Sequence, residues 1–402
     1  MAGNNPAPWL PGSIALLEQP LVEHTYAVKI WTGNLALNSE RVEVPAYDVQ
    51  VTLSSVRVPF GLATFRTPIP PWPGIDWPTG NVLHDLRSCI ARIVPVSILA
   101  GWKTSGGGDD RHTILAGYVT SIEVRRTADS SYVQWTVTSA EQLWEYPSHR
   151  TYNPSNSYTR IKQVTDAVNG SADPWYVAPV VTEGTLNTPS SGQLTNFRAA
   201  DIAIGDTVGD YLRQLAQMLG QVVRPDWRND TLRLSVEAEP TYNTAAALTL
   251  TSPAEASETY SYDEWGTVLT LRAQWIAGGD EKTSQRQFAA TAVGGMPLFP
   301  NTPTRGTIPA VPQTATVWTK PPGGVVPADP TWGPTALWMD RITNKKFALL
   351  QATSRAAWWL VPGDVVRYTN LPTTGDTTTT IVADTITYDL DSGLMTINGY
   401  AP

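Results

Sequence analysis

A mainly β fold with a smaller α+β part is predicted by three features of the sequence. Segments rich in Val, Ile, Thr, Tyr and Trp alternate apolar and polar residues at both ends of the chain. Two segments with helical spacing fall in the middle. The 33 prolines and 30 glycines punctuate the rest into short pieces. At about 150 residues per domain, a chain of 402 residues makes two or three domains.

The first 20 residues, broken by prolines and lacking a basic start, read as an irregular arm rather than a secretory signal. A β unit follows over 21–147. TYAVKIWTG, AYDVQVTLSSVRV, TILAGYVTSIEVRR and SSYVQWTVTSA are its strands. In the last of these, Val133, Trp135, Val137 and Ser139 share one face. Tyr132, Gln134, Thr136 and Thr138 share the other, which is the pattern of a half-buried antiparallel strand. Such a unit is a small barrel or sandwich. The stretch 68–78 within it is too proline-dense for a central strand and reads as an exposed loop carrying Trp72 and Trp77.

The texture changes over 148–245. Ile161, Val164, Thr165 and Val168 recur at helical spacing, with Gly170 as the stop. A stronger helix over 208–219 aligns Val208, Tyr211, Leu212, Leu215, Met218 and Leu219 in one stripe, with Gly220 at its end. It runs into two strand-like segments around an Arg-Asn-Asp turn, giving a compact α+β unit. Strands resume over 246–402. A stretch at about 278–334, crowded with Pro, Gly and Thr, reads as an insertion without regular structure. TALWMDRITNKK is a short helix, FALLQATS a strand, and the chain closes on two strands joined by an Asp-Leu-Asp-Ser-Gly turn.

Composition narrows the function. Charged residues make up 16% of the chain, against a usual ~25%, and the net charge is −8. An acidic, charge-poor surface does not suit a phosphate-tracking nucleic-acid binder or adhesion to anionic lipid. No segment reaches the ~18 apolar residues that a membrane span requires. The one cysteine, Cys89, lies in an apolar run and reads as a small buried hydrophobe, so no disulfide framework or multi-cysteine metal site is expected.

Catalytic and metal templates do not emerge. There is no phosphate-cradling glycine loop and no G-x-S-x-G elbow. His24, His84, His112 and His149 lack metal-ligand spacing. Glu141 with Glu145, and Asp263 with Glu264, are neighbours in sequence, which does not supply the ~5–10 Å separation of a glycosidase pair. Asp389-x-Asp391-x-Gly393 begins like a calcium loop, but Tyr400 stands where the bidentate Glu belongs, so a hairpin turn is expected. Asp109 and Asp110, after a glycine run, read as a flexible acidic loop. Trp72, Trp77, Trp175, Trp332, Trp358 and Trp359 suit a core or a protein interface better than a sugar site. No catalytic residue, cofactor or metal is expected.

Three stretches, taken in order, carry a resemblance. They are ILAGYVTSIEVRRTADSSYVQWTVTSAEQLWE, GDTVGDYLRQLAQMLGQVVRPDWRNDTLRLS, and LVPGDVVRYTN followed by DTITYDLDSGLMTINGY. In this order the chain resembles the bacteriophage tail-hub family, the baseplate or tail-tip hub proteins akin to phage late control protein D. The resemblance implies two β-barrel hub domains, 21–147 and 246–402, bracketing the α+β domain. It implies a homotrimer whose barrels form a pseudo-six-fold ring between the six-fold tail tube and the three-fold tip, through which DNA passes without specific binding. The implied partners are a distal-tail ring, a tape measure protein and a tip or central fibre protein. The implied location is the tail tip of the virion, after synthesis in the host cytoplasm. No fused peptidase or lysozyme domain is seen, so no wall-degrading activity is implied. The stretches at 68–78 and 278–334 depart from the family pattern. They are expected to bring Trp72, Trp77, Trp318 and Trp332 to contacts with neighbouring tail proteins. Two other readings compete: another minor tail component (a distal-tail or receptor-binding module), and a Trp-rich carbohydrate-binding or carbohydrate-cleaving protein.

Overall fold

The computed structural model describes residues 23–31, 41–54, 60–70, 94–104, 107–127, 130–139, 180–181, 221–226, 233–238, 245–251, 255–259, 268–277, 280–289, 312–318, 320–344, 349–369 and 378–400. The fold is mainly β. The amino-terminal part contributes β1 (His24–Trp31), β2 (Arg41–Val44), β3 (Tyr47–Ser54), β4 (Gly61–Thr67), β5 (Pro95–Lys103), β6 (Asp109–Arg126) and β7 (Ser131–Ser139). The middle contributes β8 (Val180–Val181), β9 (Gln221–Asp226) and β10 (Arg233–Ala238). The carboxy-terminal part begins with β11 (Leu248–Thr251), β12 (Glu255–Thr259), β13 (Val268–Ala277), β14 (Asp280–Ala289) and β15 (Pro312–Trp318). A helix, α1 (Gly333–Asn344), then leads to β16 (Leu349–Arg355), β17 (Val365–Thr369), β18 (Thr378–Asp389) and β19 (Leu394–Tyr400).

The two outer parts are not separate sheets. One 13-stranded sheet runs β12-β16-β19-β18-β3-β4-β7-β6-β5-β1-β2, with β17 on β18 and β11 on β17. Its seam is the antiparallel pair β18–β3, in register from Thr385↔Ser54 to Asp389↔Gln50. Two barrels were expected; among the described residues no sheet closes on itself, and the two halves are joined through this seam. Register shifts at Val119/Ser121 and Ala383/Thr385 insert bulges, which bend strands and sharpen their twist.

Alternation decides which face is buried. Val49, Val51 and Leu53 of β3, Ala63 and Phe65 of β4, and Val133, Trp135 and Val137 of β7 are all at most 1% exposed. Ile386 and Tyr388 of β18 and Met395 and Ile397 of β19 continue the same core across the seam. Within it, Phe65 stacks on Trp135 with ring centres 5.9 Å apart, and the Trp135 indole N–H donates to Thr67 Oγ1 at 2.9 Å. Trp102 from the first part packs against Trp358 and Trp359 from the last, so these indoles belong to the core.

Two smaller sheets flank the large one. The expected hairpin around the Arg-Asn-Asp turn is β9–β10, with β8 parallel to β10. The helices expected near 161–170 and at 208–219 lie outside the described residues, as do the arm at 1–20 and Cys89. The stretch at 278–334 is not without structure: β14 pairs with β13 along ten residues, β15 pairs with β13 in parallel, and α1 begins at its end. Its strands carry polar residues on both faces (DEKTSQRQFA and PQTATVW), which hides the two-residue period. Leu269, Leu271, Phe288, Ala315 and Val317 form a second small core there, covered by Trp332, Trp338 and Met339.

Candidate functional site

No sequence-predicted group forms a catalytic or metal-binding constellation among the described residues, and none of them makes a cluster of three or more metal-ligating side chains. Asp389-x-Asp391-x-Gly393 is the β18–β19 turn. Asp389 Oδ1 accepts the N–H groups of Asp391 (3.1 Å) and Ser392 (3.2 Å), and Gly393 adopts φ +69°. The second carboxylate is turned to the other half of the protein. Tyr26 donates its hydroxyl to Asp391 Oδ1 at 2.5 Å, and the Val49 N–H donates to Oδ2 at 2.9 Å. His24 Nε2 lies 3.0 Å from the Asp391 carbonyl oxygen. Burial, the Asp391 hydrogen bond and the nearby negative charge of Asp391 together raise the Tyr26 phenol well above its ordinary range. Asp109 pairs with Arg111, and Asp110 with His112. Glu141, Glu145, Asp263, Glu264, His84, His149 and Trp175 lie outside the described residues.

The sequence points to four tryptophans as interface residues. Trp72 and Trp77 fall outside the described residues, and Trp318 ends strand β15. Trp332 is half-buried against the small core beneath α1.

What the fold does assemble is a polar sheet face running across the seam, exposed or half-exposed along most of its length, with Ser54 and Thr138 buried within it. In register, one row reads Thr353, Thr396, Thr387, Thr52, Leu62 and Thr138 over six strands. A second reads Gln351, Asn398, Thr385 and Ser54. A third reads Arg355, Leu394, Asp389, Gln50, Thr64 and Thr136. The hydroxyls answer one another: Thr353 to Thr396 at 3.1 Å, Thr52 to Thr387 at 3.3 Å, and Thr385 to Ser54 at 3.4 Å. Charge is confined to the border. There Asp48 pairs with Arg66 at 2.6 Å beside a shallow cavity of about 360 Å³ that also includes Asp389 and Asp391. Sequence alternation identifies these residues strand by strand. It does not reveal that strands more than 300 residues apart lie side by side.

This arrangement of strands has known counterparts. A tail protein from Neisseria meningitidis MC58 superposes with a TM-score of 0.53 at 13% identity, covering 94% of this chain and 96% of that one. The 43 kDa tail protein of prophage MuSo2 from Shewanella oneidensis gives 0.55 at 14% identity, covering 93% and 98%. The chain has the fold of phage tail proteins. Prophage tail protein gp18 from Listeria monocytogenes EGD-e also matches, with a TM-score of 0.51, 9% identity, and 93% and 94% coverage. No family model matches the chain, and no curated protein is significantly similar in sequence. No described helix is long and apolar enough to cross a membrane.

Proposed function

We propose that the protein is a structural hub of a phage tail tip. In this reading it is a non-enzymatic homotrimer whose ring joins the six-fold tube to the three-fold tip and lets DNA through. The observation that carries the reading is the fold shared with tail proteins along nearly the whole of both chains. The threonine-rich face supports it physically. A wall for moving DNA must offer phosphate no cation to hold and offer bases no apolar ledge. The first two rows hold no cation and consist mostly of hydroxyls and amides, several of the hydroxyls bonded to one another. The exposed Leu62 and Leu394 are separated by two strands and make no continuous ledge, and the net charge of −8 adds weak repulsion. The distal-tail ring, the tape measure protein and a tip or central fibre protein are its partners in the virion, and Trp72, Trp77, Trp318 and Trp332 are proposed to meet them.

Two measurements test the reading. Native mass spectrometry of the purified protein, alone and with its neighbouring tail proteins, is expected to give a trimer. A strictly monomeric chain in both cases would refute it. The Thr52→Arg/Thr387→Arg variant is expected to fold, assemble and acquire salt-dependent DNA binding, and virions carrying it should eject DNA slowly. Ejection at the normal rate would remove this face from the channel.

A further inference from the structure

Among the described residues, the β8–β10–β9 sheet shares no backbone ladder with the large sheet. A side chain crosses between them instead. Arg224 of β9 donates from Nη2 to Asp364 Oδ1 at 2.5 Å and from Nε to the Pro362 carbonyl at 3.3 Å. Both side chains are removed from water, at 9% and 1% exposure. Asp364 sits in the turn before β17, which holds itself together. Asp364 Oδ2 accepts the Val361 N–H at 3.0 Å, the Asp364 N–H donates to the Val361 carbonyl at 3.1 Å, and the Gly363 N–H donates to the Ala383 carbonyl at 2.6 Å. The turn is also shaped to receive the guanidinium. Gly363 has φ +88°, and a Cβ there would lie 2.6 Å from Arg224 Nε.

We propose that the Arg224–Asp364 pair is an orienting pin. It fixes the middle three-stranded unit against the large sheet, and removing it frees that unit without unfolding either sheet. Three observations lead there. A desolvated ion pair adds little net stability over apolar groups of the same size, and its best-attested use is to fix one arrangement among several. The turn that supplies Asp364 has backbone and carboxylate hydrogen bonds of its own that do not involve Arg224, so loss of the pin is expected to leave its socket in place. The left-handed glycine makes the socket specific, because any side chain at 363 meets both backbone strain and the guanidinium.

The test uses the full chain. With Cys89 replaced by Ser, one spin label is placed at exposed Thr120 of β6 and one at Glu237 of β10. Distances are read by pulsed electron resonance. The parent is expected to give one narrow distribution. Arg224→Met combined with Asp364→Asn, which removes both charges and keeps an acceptor for Val361, is expected to broaden it at least twofold. Near-ultraviolet dichroism from the Trp102, Trp358 and Trp359 cluster should stay unchanged. Gly363→Ala, which crowds the guanidinium out, is expected to give the same broadening. An unchanged distribution in the double variant overturns the proposal. So does broadening accompanied by loss of the tryptophan signal, since the pair would then be holding the large sheet together.

Discussion

Asp391→Ala tests the seam at the residue that ties one turn to the opposite half of the chain. The substitution removes the acceptor for the Tyr26 hydroxyl and for the Val49 N–H at once. A hydrogen bond to a charged group contributes ~1.5–3 kcal/mol, and a buried donor left without a partner costs ~1–3 kcal/mol. Val49 is 0% exposed, so the orphaned amide lies in the core strand, whereas Asp391 itself is on the surface and water replaces part of what Tyr26 loses. The two losses therefore do not add fully, and a total of about 2–3 kcal/mol is expected. The direct readout is hydrogen exchange at the Val49 amide. At 1.4 kcal/mol per tenfold, this should accelerate roughly 30- to 150-fold. Urea unfolding followed by tryptophan fluorescence should shift to lower midpoint in parallel. Asp391→Asn, which keeps the shape and one acceptor, should lose about half as much. Acceleration below about twofold in the alanine variant would mean that the turn is a passive neighbour of β3 and that the ladder alone holds the seam.

Trp135→Ala should destabilise the amino-terminal part by about 3–5 kcal/mol, because it empties a 0% exposed site and strands the buried Thr67 hydroxyl; equilibrium denaturation measures this. Alkaline pH should unfold the protein through its tyrosines. Burial pushes Tyr368 up from 10.0 to about 12 and also raises Tyr388 and Tyr26, so stability is fully present below pH 10 and falls as pH climbs toward 12. Denaturant midpoints measured across that interval should fall, and phenolate absorbance of these three groups should emerge together with unfolding rather than before it. Gly117→Val should disrupt the β6–β7 pairing, since a Cβ there would meet the Thr138 carbonyl oxygen at 2.0 Å. Limited proteolysis should then cut within that hairpin.

How much of this was legible in the sequence depends on range. The faces of β7 were readable residue by residue, because Val133, Trp135 and Val137 alternate with Gln134 and Thr136, and all three are buried. The β9–β10 hairpin, the short helix at α1 and the final β18–β19 hairpin were readable for the same reason: their signals are local turns and periods. The strands β14 and β15 were hidden, since Lys282, Gln285 and Arg286 occupy a sheet with little apolar contrast between its faces. The seam was hidden for a different reason. Asp391 reads from sequence as part of a turn, but nothing near it points to Tyr26 or Val49, and Arg224 carries no mark that a partner waits at 364. Local patterning fixes which side of a strand is wet, whereas pairing between distant strands depends on the total fit of the core.

The seam also sets an order of events during synthesis. Ser54 and Thr385, which face each other across it, are 331 residues apart in the chain. At roughly 5–20 residues per second, about 15–65 s pass between the emergence of β3 and that of its neighbour β18. Throughout that interval one flank of β3 offers unsatisfied amides and carbonyls, on a strand whose Val49, Val51 and Leu53 are destined for the core. A nascent chain so exposed invites pairing with its siblings on the same messenger. Synthesis of this protein is therefore a race between delivery of β18 and premature association of half-made copies, and a host chaperone that shields β3 would raise the yield of finished chains.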